Sequence, residues 1–119
     1  MTVVSDPLSM LLGRGSVIKI DGLREPEHAA AAVGAGADLI GFIFAPARRQ
    51  VTAEAARVCI AAARAEHPTR PVLAVGVFVN ATAAEISAVA RGSGIDVVQL
   101  HGDEAPELLD AILYVAEGR

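Results

Sequence analysis

Four apolar runs, at residues 17–20, 38–44, 72–79 and 96–100, constrain the fold of this chain more than any other feature. A strand with one wet face alternates apolar and polar residues. These runs are nearly continuous, which predicts strands covered on both faces, as in a parallel sheet. Between them lie stretches with helix punctuation. Pro26 occupies a first helical position before an alanine-rich run at 28–35, and Gly36 is the stop. Thr52 is placed to N-cap a helix over 53–66, with Pro68 close behind. Thr82 and Glu85 have the spacing of a capping box, Ile86, Val89 and Ala90 then fall on one face, and Gly92 and Gly94 end the pattern. A fourth helix is predicted from Pro106, with Leu109, Ile112 and Leu113 as its apolar stripe. The predicted class is α/β, in the order βαβαβαβα.

The chain is 53% apolar yet has one Tyr, three Phe and no Trp, so its core must be built from Ala, Val, Ile and Leu. Small side chains of this kind suit helices packed closely on a parallel sheet. At 119 residues there is room for one domain, well short of the roughly 250 typical of a closed eight-unit barrel. Ten basic and fourteen acidic side chains give a net charge of −4, which argues against a nucleic-acid or anionic-membrane surface. Cys59 is the sole cysteine and lies in a helical pattern, as a small buried hydrophobe would; with no Cys/His pairs at metal-ligand spacing, a reduced, cytoplasmic protein without a metal is expected. The apolar patch at 8–12 is too short for a signal peptide or a membrane span. Residues 1–16 are therefore expected to be a flexible N-terminal extension, with Met10 as an alternative beginning, and residues 17–119 the folded domain. A faint internal echo links GADLIGF at 36–42 with GIDVVQL at 94–100, as stacked βα modules would show.

Right-handed crossovers put the carboxyl ends of all the parallel strands on one rim, where α/β proteins build their sites. That rim would display Asp21, the loop 45–50 with Arg48 and Arg49, Asn80, and His101 with Asp103 and Glu104. Carboxylate, guanidinium, amide and imidazole on one face suit the binding and transformation of a small anionic, hydroxylated molecule. Each residue also has a purely structural reading. Asp21 can accept backbone N–H bonds before Gly22, the arginines can be solvated loop charges, Asn80 can serve a capping turn, and His101-Gly102 can form a tight turn. No phosphate loop of Rossmann or Walker type is present, since Gly34 and Gly36 end a helix and do not begin one.

The segments KIDGL at 19–23, AGAD at 35–38 with GFIFAPARRQV at 41–51, VGVFVN at 75–80 and DVVQLHGDE at 96–104 resemble phosphoribosylanthranilate isomerase, over about residues 17–113. The resemblance implies the N-terminal half of a (β/α)8 TIM barrel, a βαβαβαβα half-barrel. It also implies an Amadori rearrangement of N-(5-phosphoribosyl)anthranilate in tryptophan biosynthesis, with no organic cofactor or metal. In that family an acid protonates the furanose oxygen and a base removes the sugar C2 proton. Asp21 stands where the family places its basic cysteine, Arg49 matches an arginine near the anthranilate carboxylate, and His101 matches the histidine of the QLHG segment. The related ribosyl isomerase of histidine biosynthesis uses an aspartate at the end of its own first strand, so Asp21 is read as a replacement base. Lys19 shares its side of the strand.

Two departures accompany the match. The family serine before the arginine is Ala47 here, and neither the family's acid, an aspartate after the fifth strand, nor its late phosphate loops can be made out. Activity of the isolated chain is accordingly expected to be impaired or absent. The alternative is a non-catalytic, truncated remnant or a half-barrel interaction module, with homo-oligomerisation through exposed strand edges.

Overall fold

The computed structural model describes Thr2–Val3 and residues 17–101. In chain order the elements are β1 (Thr2–Val3), β2 (Lys19–Ile20), α1 (Pro26–Gly34), β3 (Leu39–Ile43), α2 (Ala53–Glu66), β4 (Leu73–Phe78), α3 (Ala83–Ser93) and β5 (Val97–Leu100). The helix expected from Pro106, and Asp103 and Glu104, lie outside the described residues.

β2, β3, β4 and β5 are successive neighbours and all parallel, the winding that the continuous apolar runs predict. β1 pairs antiparallel with β5, Thr2 opposite Gln99 and Val3 opposite Val98. This corrects one expectation: the far edge of β5, foreseen as open for self-association, has backbone partners in β1.

The ladder register sorts the side chains by face, because paired residues of parallel strands point the same way and successive residues alternate. Ile40, Phe42 and Ala74 face the helices and join Ala29, Ala32 and Val33 of α1 and Ala56, Cys59, Ile60 and Ala63 of α2 in one buried cluster. Phe78, Val98 and Leu100 continue that layer under Ile86 of α3. The opposite face carries its own buried group, Leu39, Leu73, Val75 and Val97. Both faces of the central strands are thus covered, which is why the runs do not alternate. Alanines on α1 and α2 let those helices lie close to the sheet, as the poverty in aromatic residues requires.

Side chains cap the amino ends of α2 and α3. The Thr52 hydroxyl accepts from the Ala55 N–H and the Thr82 hydroxyl from the Glu85 N–H, both at 3.1 Å. Thr82→Ala should cost about 1 kcal/mol, read as a lower midpoint in urea unfolding. An unchanged midpoint would show that the cap contributes nothing. At the other end of α1, Arg70 donates to the carbonyls of Val33 (2.8 Å) and Ala37 (2.9 Å), placing a cation at a helix C-terminus.

The internal echo has a physical basis. Gly36 and Gly94 both leave a helix with positive φ, 109° and 82°. Two residues later Asp38 Oδ2 accepts from the Ile18 N–H (3.0 Å) and Asp96 Oδ2 from the Ala74 N–H (2.9 Å). Each aspartate opens one strand while clipping the preceding strand at its amino end. Arg64 adds an ion pair to Asp96 at 2.9 Å.

Candidate functional site

Asp21 follows the two-residue strand β2, and the backbone turns sharply after it. The Gly22 and Leu23 N–H groups both donate to the Gly41 carbonyl, at 3.1 and 3.3 Å. Gly22 has φ 78°, a conformation that suits glycine, and a Cβ there would lie 2.9 Å from Cδ of Arg49. Arg49 reaches toward the Gly22 carbonyl at 3.5 Å, and Arg24 donates to the Arg48 carbonyl at 3.3 Å. The turn after β2 and the loop after β3 are therefore held against each other. The loop itself is held by Gln50, whose amide donates to the Phe44 carbonyl at 3.0 Å.

These two segments and the first turn of α1 border a partly open cavity of about 450 Å³, within the range of small-molecule sites. Asp21 and Arg49 line it, together with Arg24, Glu25 and His28. The last three were not singled out from the sequence. Their signal was the position of Pro26: a helix that starts so soon after a strand must bring its first turn beside that strand's end. His101 does not line the cavity. It stands exposed beyond β5, its backbone N–H donating to the Phe78 carbonyl at 2.9 Å. Asn80 takes φ 52°, which asparagine tolerates better than most residues, in the turn leading to α3.

Asp21 is not isolated. Its Oδ1 is 2.9 Å from Nζ of Lys19, and the same ammonium donates to Oε1 of Gln99 at 2.6 Å. Strands β2 and β5 are three strand spacings apart, roughly 14 Å along the sheet. Contact between side chains from both requires a curved sheet with Lys19, Asp21 and Gln99 on its concave side, away from the helices. Asp21 is half exposed, so this ion pair contributes less than about 1 kcal/mol to stability. Its effect is on where the carboxylate points. Gly41 completes the arrangement, since a Cβ there would overlap the Asp21 carboxylate.

Cys59 is buried between α1, α2 and the sheet, and burial, then Glu25 and Glu27, push its thiol pKa up. A thiol buried in this way is a packing group and no substitute for the family's basic cysteine. Among the described residues no cluster of three His, Cys, Asp or Glu could hold a metal ion, and no helix is long and apolar enough to cross a membrane.

Comparison with known proteins agrees with this geometry. Residues 18–117 match the family model of N-(5'-phosphoribosyl)anthranilate isomerase. The isomerase of that name from Roseiflexus castenholzii is 47% identical over 98 residues, which cover 81% of this chain and 46% of the relative. The crystal structure of the Thermus thermophilus phosphoribosylanthranilate isomerase superposes with a TM-score of 0.73 at 36% identity, over 84% of this chain and 48% of that one. Another isomerase structure, in complex with reduced 1-(o-carboxyphenylamino)-1-deoxyribulose 5-phosphate, gives a TM-score of 0.72 at 38% identity, over 82% of this chain and 48% of that one. The chain thus spans about half the length of these relatives. A curved parallel sheet with helices on its convex side is what half of such a barrel provides, and the chain belongs to the phosphoribosylanthranilate isomerase family.

Proposed function

We propose that residues 17–119 form a half-barrel domain supplying the base side of a phosphoribosylanthranilate isomerase site in cytoplasmic tryptophan biosynthesis. The observation that carries this reading is the shared cavity of Asp21 and Arg49, with Asp21 at the position of the family's cysteine. In this scheme Arg49 pairs with the anthranilate carboxylate, and His101 binds the substrate from the β5 side. Protonation of the furanose oxygen opens the ring to a protonated Schiff base, which acidifies the sugar C2 proton. Asp21 accepts that proton, and the C–H electron pair moves to form the enolamine that tautomerises to the ketose. Acidification by the adjacent cation is what lets a carboxylate, a weaker base than a thiolate, serve here.

The test measures turnover of phosphoribosylanthranilate by the purified chain, alone and mixed with the second half of the Roseiflexus castenholzii relative. The expected result is little or no turnover alone and measurable turnover in the mixture. Asp21→Asn should lower the latter by about 10²- to 10⁴-fold, and Asp21→Cys should raise it. Turnover by Asp21→Asn equal to that of the native chain would sink the assignment.

A further inference from the structure

We propose that Gln99 is a positioning residue for the base: by anchoring the Lys19 ammonium at the β5 end of the concave face, it fixes the Asp21 carboxylate over Gly41. The proposal takes the role of Asp21 from the preceding reading, while its geometry stands apart from that reading.

Lysine is a poor positioner by itself. Its ammonium sits on a flexible four-carbon stem, and a half-exposed carboxylate two residues away gives it one weak partner. A second anchor changes this. Among the described residues Lys19 has two partners, Asp21 Oδ1 at 2.9 Å and Gln99 Oε1 at 2.6 Å, and they come from opposite sides of the four-stranded parallel sheet. The register shows the path between them. Lys19 pairs with Leu39, whereas Gln99 pairs with Val77, which pairs with Ile43, four residues further along β3. The Lys19 stem therefore runs up the concave face toward the carboxyl rim. Val75 and Val97, each 2% exposed, share that face and are apolar, so they offer the ammonium no competing acceptor.

Asp21 is held from two sides. The Lys19 ammonium takes one oxygen, and the missing Cβ of Gly41 leaves a notch in β3 that the carboxylate fills. An aspartate has three staggered χ1 states, and the observed state satisfies both contacts. Loss of the glutamine acceptor releases Lys19, and with it the restraint on Asp21, although Gln99 does not touch Asp21 in any bond described.

The test is side-chain NMR on the full 119-residue chain. The measurements are exchange of the Lys19 ammonium protons with water and the three-bond couplings that report Asp21 χ1, in the native chain, Gln99→Leu, Gln99→Asn and Gln99→Glu. The native chain should show a protected ammonium and one Asp21 rotamer. Gln99→Leu should speed ammonium exchange at least tenfold and average the couplings, and Gln99→Asn, shorter by one methylene, should do the same if the leucine variant does not fold. Gln99→Glu keeps an acceptor and should restore both signals. Native couplings in a folded Gln99→Leu or Gln99→Asn chain would overturn the proposal, even with a lowered melting temperature. Averaged couplings together with full turnover by Asp21→Asn would retain Gln99 as a positioner of Asp21 and remove only the base assignment.

Discussion

Phe42→Ala is expected to cost about 3–5 kcal/mol and leave much of the protein unfolded at 37 °C. Phe42 lies in the middle of β3, is fully buried, and belongs to the cluster that joins the sheet to α1 and α2. Its neighbours in that cluster are mainly alanines and short branched side chains, which have little reach with which to fill the void. A small domain has a total stability of order 5–15 kcal/mol, so this single ring accounts for a large share. The check is urea unfolding followed by circular dichroism, where the midpoint should fall by at least about 1 M. A cost near 1 kcal/mol would mean that the helix-facing layer collapses around the cavity, contrary to the close packing inferred above.

Gly41→Ala should lower stability by about 1–3 kcal/mol through overpacking and displace the Asp21 carboxylate. The added Cβ would lie 3.3 Å from Cα of Asp21 as well as on its carboxylate, so side-chain rotation relieves only part of the conflict. Rotation would also break the pair with Lys19. On the proposed role of Asp21 as base, turnover in the mixed-chain assay should drop about 10²-fold, the scale of a misplacement by about 1 Å. A double-mutant cycle isolates the cause: Asp21→Ala removes the overlapping atoms, so the two substitutions together should be less damaging than their sum by about 0.5–3 kcal/mol. Strict additivity would show that Gly41 serves the strand and not the aspartate.

How much of this was legible in the sequence depended on distance along the chain. Caps such as Thr52 and Thr82 act over three residues, and their bonds to Ala55 and Glu85 follow the predicted spacing. Continuous apolar runs announced strands buried on both faces, and the four parallel strands are where those runs lie. Contacts that depend on curvature could not be read. Lys19 and Gln99 are 80 residues apart, and nothing in either segment states how strongly the sheet bends. The rim grouped Asp21, Arg49 and His101 because all follow strand ends, yet the cavity at Asp21 takes Arg24, Glu25 and His28 in its lining and not His101. Gly41 looked like part of a family motif; its reason, a notch for a neighbouring side chain, is a property of packing. The pairing of β1 with β5 was not legible either, because a strand of two residues is too short to show a periodicity.

The Asp38 and Asp96 clips lie at the amino ends of the strands, whereas Asp21, Arg49 and Gln99 gather at the carboxyl ends. Each clip joins two adjacent strands without help from any rim loop. Loop grafting at the rim should therefore leave the two-strand modules in register, and sequence drift in that loop layer is decoupled from the folding of the chassis beneath it. Such a separation is what allows a scaffold to trade one reaction for another, and here it rests on two aspartates at the opposite end of the sheet from the candidate site.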